Sequence, residues 1–130
     1  MKRKIANVTI VVKDYDEAIQ FYTQKLGFEL LQDVQLNADK RWVLVAPHHS
    51  NDSVLLLAKA ATERQEKSIG NQTGGRVSFF LHTDDFWKDY QNMTTNGVVF
   101  KDKPREEVYG TVTVFENLYG NLWDLLEPKE

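Results

Sequence analysis

The feature that most constrains this chain is that it repeats itself. The stretches "VTIVVKDYDEAIQFYTQKLGF", from Val8, and "VSFFLHTDDFWKDYQNMTTNGVV", from Val77, share one layout at a spacing of 69–70 residues, with one slip near His82. Further along, "VLVAPHHSNDSVLLL" and "VTVFENLYGNLWDLL" repeat a strand–turn–strand layout at a spacing of 68–69. A period this long does not suit a solenoid array; it predicts two copies of one supersecondary unit.

Each copy reads as β-α-β-β-β. The run from Val8 to Val12 is β-branched and predicts a strand. Asp14 then caps a helix, and Glu17 stands three residues on, as in a capping box. Tyr15, Ala18, Ile19, Tyr22 and Leu26 recur at the helical period and predict its buried stripe, with Gly27 as the stop. Strands follow at 28–36, 41–46 and 53–59, separated by turns at 37–39 and 48–52. The second copy places a strand at 76–82, a cap at Thr83 or Asp84, and a helical stripe of Phe86, Trp87, Tyr90 and Met93, stopped by Gly97. Its remaining strands are expected at 98–101, 108–116 and 121–127. The polar stretch 61–75 reads as a connector, with a helical turn or two at 61–68. The fold class is α+β, one domain over 1–130 made of two tandem modules, about 1–60 and 76–130.

Side chains alternate faces along a strand, so parity separates a packing side from a second side. Val8, Ile10 and Val12 oppose Asn7, Thr9 and Val11; Val77, Phe79 and Leu81 oppose Arg76, Ser78, Phe80 and His82. In "GNLWDLLEP", Asp124 points the same way as Leu122 and Leu126. A carboxylate on an apolar face is costly unless it is paired or holds something. The second side, with its mixture of polar and large apolar groups, suits a lined cavity; the alternative is a solvated sheet face.

Composition narrows the classes. With 130 residues, 42% hydrophobic and 27% charged, the chain suits one globular domain. It has no cysteine, which removes disulfides and thiolate metal sites. The net charge is −3, and no basic stripe marks a nucleic-acid or membrane surface. The start, "MKRKIANVTIVV", faintly imitates a signal peptide, but Lys13 and Asp14 end its apolar run without a small-residue cleavage site. No apolar stretch approaches the ~20 residues of a membrane span, so a cytoplasmic protein is expected. No serine sits in a Gly-x-Ser-x-Gly elbow, and "GNQTGGR" lacks the ending of a phosphate-binding loop.

The blocks "VTIVVKDYDEAIQFYTQKLGFEL", "GGRVSFFLHTDD" and "VYGTVTVFENLYGNLWDLLEP" resemble the vicinal oxygen chelate superfamily, which includes glyoxalase I, bleomycin-resistance proteins, extradiol dioxygenases and fosfomycin-resistance enzymes. The resemblance covers nearly the whole chain. It implies paired modules whose sheets curl into a cup-like mixed sheet, and a homodimer with cavities lined by both chains. In metal-dependent members four ligands line the cup. Matched by motif, those positions fall on Asn7, Leu56, Arg76 and Asp124. Leu56 cannot coordinate, Asn7 is a weak neutral donor, and Arg76 carries a positive charge where a cation needs a base. The resemblance therefore implies a member without the family metal site and without a cofactor; the alternative is a divalent metal held by unfamiliar ligands.

The simplest replacement for the metal is Arg76 itself, sitting against Asp124. That pair either is structural or receives an anionic ligand on Arg76, with Asp124 orienting it. Asn7, Ser78 and Phe80 join it by parity, and Arg41 is a second anion contact or a strand-end arginine reaching water. His82 either caps its strand or reaches the ligand, and Tyr109 is a further wall candidate. Trp123 is expected in the core and Trp87 in the core or at an interface. His48-His49 is a poor chelate, since neighbours on a strand point apart. The run 101–107, with Arg105, reads as a solvated loop. The function expected is binding of a small, anionic or aromatic molecule by a homodimer. The alternatives are a lyase or isomerase related to glyoxalase I, with Asp124 as catalytic base, and a scaffold role.

Overall fold

The computed structural model describes residues 1–47 and 53–130, so the turn expected at 48–52, with His48 and His49, lies outside the described residues. The chain forms two compact units, Met1–Ile69 and Gly70–Glu130, each with its own mixed sheet.

The first unit runs β1 (Asn7–Val12), α1 (Tyr15–Gln20), a π-helical turn (Phe21–Lys25), β2 (Glu29–Gln35), β3 (Arg41–Ala46), β4 (Val54–Lys59) and α2 (Glu63–Ser68). Asp14 caps α1, its Oδ2 accepting from the Glu17 amide at 2.8 Å. The π-helical turn adds a residue to the helical winding and rotates the expected stripe. Phe21 therefore joins Tyr15, Ala18 and Tyr22 in the core, while Ile19 and Leu26 stay half-buried. Gly27 ends the helix at φ +72°, where a side chain would be strained. Asn37 builds the next turn: its Oδ1 accepts from the amides of Asp39 and Lys40, both at 2.9 Å.

The strand order is β1-β4-β3-β2, with β1 and β4 parallel and the other pairs antiparallel. Ile10, Val12, Val43, Val45, Leu55 and Leu57 are buried on the face shared with α1. Thr9 pairs with Leu56, and Leu56 with Leu44, so Asn7, Thr9, Val11, Trp42, Leu44 and Leu56 share the other face. None of these six is fully buried.

The second unit repeats the plan with β5 (Val77–His82), α3 (Phe86–Thr95), β6 (Val99–Phe100), β7 (Arg105–Glu107), β8 (Gly110–Glu116) and β9 (Leu122–Pro128). Its order is β5-β9-β8-β6, again with the first and last strands parallel. β6 and β7 share the outer edge of β8. The duplicated layout in the sequence thus becomes a duplicated topology. The core face is a run of aromatic rings: Tyr90–Phe100 at 4.6 Å, Phe100–Phe115 at 6.1 Å, Phe115–Trp123 at 5.6 Å and Trp123–Phe79 at 4.6 Å between centroids. Trp123 is buried here, as parity requires.

Four local expectations are corrected. The cap of α3 is Asp85, whose Oδ1 accepts from the Lys88 amide at 3.3 Å, rather than Thr83 or Asp84. Thr83 instead accepts from the Asp85 amide and positions it, and Glu127 of β9 accepts from the Phe86 amide at 2.7 Å. Of the two places expected for Trp87 the core is excluded, since it is 59% exposed and lies edge-on to Phe86, and the interface alternative stands. The slip in the repeat falls at Ser78, where the β5–β9 register shifts between Val77 and Phe79, and not near His82. The run 101–107 is not a plain loop, because Arg105–Glu107 forms β7. Among the described residues, no helix is long and apolar enough to cross a membrane.

Candidate functional site

Register determines what Asp124 faces. Residues paired across neighbouring strands share a face. Asp124 pairs with Phe80 of β5 on one side and Val114 of β8 on the other. Leu126 pairs with His82 and Val112, and Val112 pairs with Arg105 of β7. One face of the second sheet therefore carries Leu122, Asp124 and Leu126 at its centre, Phe80 and His82 on the β5 side, and Val112, Val114 and Arg105 on the β8 side.

The bulge at Ser78 changes the expected membership. Val77, paired with Leu122, joins this face. Arg76 does not: it lies just ahead of β5, exposed, and no ion pair joins it to Asp124. Without the bulge, strict alternation would have kept Arg76 in line with Phe80; the extra residue breaks that count. Ser78, the second residue of β5, has its hydroxyl 3.3 Å from that of Thr73 in the turn before the strand.

The guanidinium beside Asp124 belongs to Arg105. It acts on the carboxylate through space, with no direct ion pair between the two. Burial pushes the Asp124 carboxyl above the ordinary aspartate value; Arg105 pulls it back and Asp102 pushes it further up. Arg105 is itself well occupied. Its Nε donates to Glu107 at 2.9 Å, its Nη1 to Asp102, and the Tyr109 hydroxyl lies alongside. Burial works against the Arg105 charge, but these hydrogen bonds and Asp102 outweigh it and hold its pKa above the usual arginine value. Asp102 is anchored in turn, its Oδ1 accepting from the Thr113 hydroxyl at 2.7 Å and the Val114 amide at 2.8 Å. Asp102 and Arg105 were missed as site residues because 101–107 reads as polar. The alternation in "REEVYGTV" around a glycine was the hairpin signal.

The remaining expected residues fall as follows. Phe80 is 62% exposed and directly opposite Asp124, on the face that parity implied. Tyr109 sits in the turn between β7 and β8, about half exposed, one residue ahead of the strand expected to contain it. His82 is exposed at the end of β5. Asn7 opens β1 in the first unit, half-buried on the face of Leu56.

Arg41 lies on the helix face of its sheet and not on the second face, because it alternates with Trp42 and keeps step with Val43. There Asp33 takes its Nε and Nη2 at 3.0 and 2.7 Å, Asp16 takes Nη1 at 2.9 Å, and the Tyr15 ring lies 5.2 Å below it. Hydrogen bonding to Asp33, then Asp16, holds its pKa above the ordinary value against burial. This arginine is structural.

An open groove of about 360 Å³ in the first unit is lined by Lys13, Lys59, Ala60, Glu66 and Ile69, none of them expected site residues. Among the described residues, no three His, Asp or Glu side chains converge as a metal centre would need.

Comparison with known proteins places this fold. Residues 4–125 match the model of the Glyoxalase/Bleomycin resistance protein/Dioxygenase superfamily. An uncharacterized protein of Shewanella frigidimarina (strain NCIMB 400) is 56% identical over 128 residues, 98% of this chain and 95% of its own. The crystal structure of UcmS2 superposes with a TM-score of 0.85 at 30% identity, covering 98% of this chain and 99% of the other. TnmS3, an antibiotic binding protein from Streptomyces sp. CB03234, superposes at 0.79 with 27% identity over 98% of each. The duplicated β-α-β-β-β topology and the family match agree: this chain belongs to the Glyoxalase/Bleomycin resistance protein/Dioxygenase superfamily.

Proposed function

We propose that this protein, as a homodimer, binds a small, largely apolar and aromatic molecule on the Asp124 face of the second sheet, without the family's metal. The observation that carries the reading is Asp124: a half-buried carboxylate set among Leu122, Leu126, Val112 and Val114, with an exposed phenylalanine opposite. Such a group is stabilised when a ligand supplies the hydrogen bonds the sheet does not. The antibiotic binding protein TnmS3, similar over nearly the full length, supports binding as the activity.

The donor set at the four family positions does not suit a divalent metal. Leu56 offers no donor atom, Arg76 is a cation standing off its strand, and Asn7 is neutral, which leaves Asp124 alone. The anionic half of the ligand expectation loses its basis as well. It rested on Arg76 and Arg41, of which one lies outside the face and the other is held by Asp33 and Asp16.

Native mass spectrometry of the purified protein tests this directly. We expect a small aromatic molecule to co-purify or to be captured from a compound library, and to shift the amide resonances of Phe80, Val114, Asp124 and Leu126. One tightly held Ni²⁺, Zn²⁺ or Mn²⁺ per chain, dependent on Asp124, would overturn the metal-free reading. Turnover of an added 2-oxoaldehyde–thiol adduct that vanishes in Asp124→Asn would favour the lyase alternative.

A further inference from the structure

We infer that the ligand of this face carries a protonated amine, with Asp124 as its counter-charge and the Phe80 ring as the second surface it touches. This rests on the binding reading above and adds the chemical class. Phe80 and Asp124 are paired on neighbouring parallel strands, which lie about 4.8 Å apart, so one ammonium above the sheet can touch both the carboxylate and the ring. The ring offers a cation the negative face of its π-system, and its exposure leaves that face available.

The charges around the pair favour the same sign. The positive group that acts on Asp124 through space, Arg105, is already shared by Asp102 and Glu107, two carboxylates against one guanidinium. Lys101 is engaged with Glu116 at 3.7 Å, and Glu116 shares this face by its pairing with Leu122. A carboxylate or phosphate arriving here meets Asp124 and finds neither Arg76 nor Arg41 on the face. A neutral aromatic covers the half-buried Leu122 and Val114 but strips water from Asp124 without replacing its hydrogen bonds, which is costly. An amine attached to an apolar body satisfies both.

Three probes of equal size separate the outcomes: naphthylethylamine, naphthylethanol and naphthylacetate, titrated into isotope-labelled protein near neutral pH. The amine should bind at least about tenfold more tightly than the alcohol, the worth of one charge-assisted hydrogen bond. Naphthylacetate should bind worst. Asp124→Asn, which keeps the shape of the side chain, should erase the amine's advantage, the amine losing affinity and the alcohol binding at least as tightly as before because a neutral amide is cheaper to strip of water. Phe80→Leu should weaken the amine more than the alcohol. If the alcohol and acetate bind this face as well as the amine does, or Asp124→Asn leaves the preference intact, the amine assignment fails and the binding reading stands. If no probe and no library compound shifts the resonances of this face, the binding reading fails with it.

Discussion

Among the described residues the Asp124 carboxylate makes no direct hydrogen bond or ion pair, and Arg105 acts on it only through space. Burial has raised its pKa, so the folded state holds a proton there more readily than the unfolded chain does. The sign follows: as pH falls through the raised value, the folded state gains relative to the unfolded one. Above it, the buried charge is a cost. Arg105 offsets part of that cost, Asp102 adds to it, and His82, Glu107 and Glu116 are further titratable groups on the face. Asp124→Asn should therefore stabilise the protein near neutral pH, by less than about 1 kcal/mol once solvent screening is allowed for. The gain should shrink toward zero as pH drops into the carboxylate range. Urea denaturation of both proteins across that range checks this; a variant less stable at neutral pH would show that Asp124 has a structural partner. Much of this residue was legible in the sequence. Parity alone gave its face, its leucine neighbours and the burial of Trp123 behind it. Its cationic neighbour was not legible, because strand parity counts residues and cannot see the extra one at Ser78 that removes Arg76 from the count.

At the scale of elements, the β7–β8 hairpin decides the electrostatics of the face, since it carries Arg105 and closes on Gly110. Gly110 has φ +153°, and a Cβ there would lie 2.3 Å from the Glu127 carbonyl oxygen, a backbone atom of β9 that cannot yield cheaply. Gly27 also has positive φ, but a Cβ there would meet nothing within 4 Å. Gly27→Ala should thus cost only the strain of its backbone, about 1 kcal/mol. Gly110→Ala should cost about 2–3 kcal/mol, because β8 must also move from β9. It should further disturb the resonances of Arg105 and Asp124. Equal losses in denaturant midpoint would mean that crowding at Gly110 is relieved elsewhere. Sequence reasoning recovered the long strands within a residue or two, because their apolar alternation reflects one buried face. It missed β7, a three-residue edge strand whose ion pairs are made within its own hairpin and with Asp102. It also missed the π-helical turn, which has no signature in the spacing of apolar residues but moves Phe21 into the core.

At the scale of the whole molecule, the repeat was the strongest signal, and it carried the topology of both sheets and the family. Assembly is the level that a repeat within one chain leaves open. Among the described residues β2 is the edge strand of its sheet, next to β3, and it presents Leu30, Val34 and, just beyond its end, Leu36 to solvent, each 42–52% exposed. Unpaired edges with apolar side chains invite another strand, and native proteins cover them or charge them. Gln32, Asp33 and Gln35 give β2 only one charge after Glu29, which is a weak defence. A second copy of the chain, pairing along β2 by two-fold symmetry, would cover this edge in both partners at once. Sedimentation equilibrium should then report twice the chain mass. Lysine at both Val34 and Leu36 should shift it toward the single chain while each unit keeps its fold by circular dichroism. A single-chain mass for the unaltered protein at every concentration would remove the homodimer. A dimer indifferent to those two substitutions would move the interface away from β2.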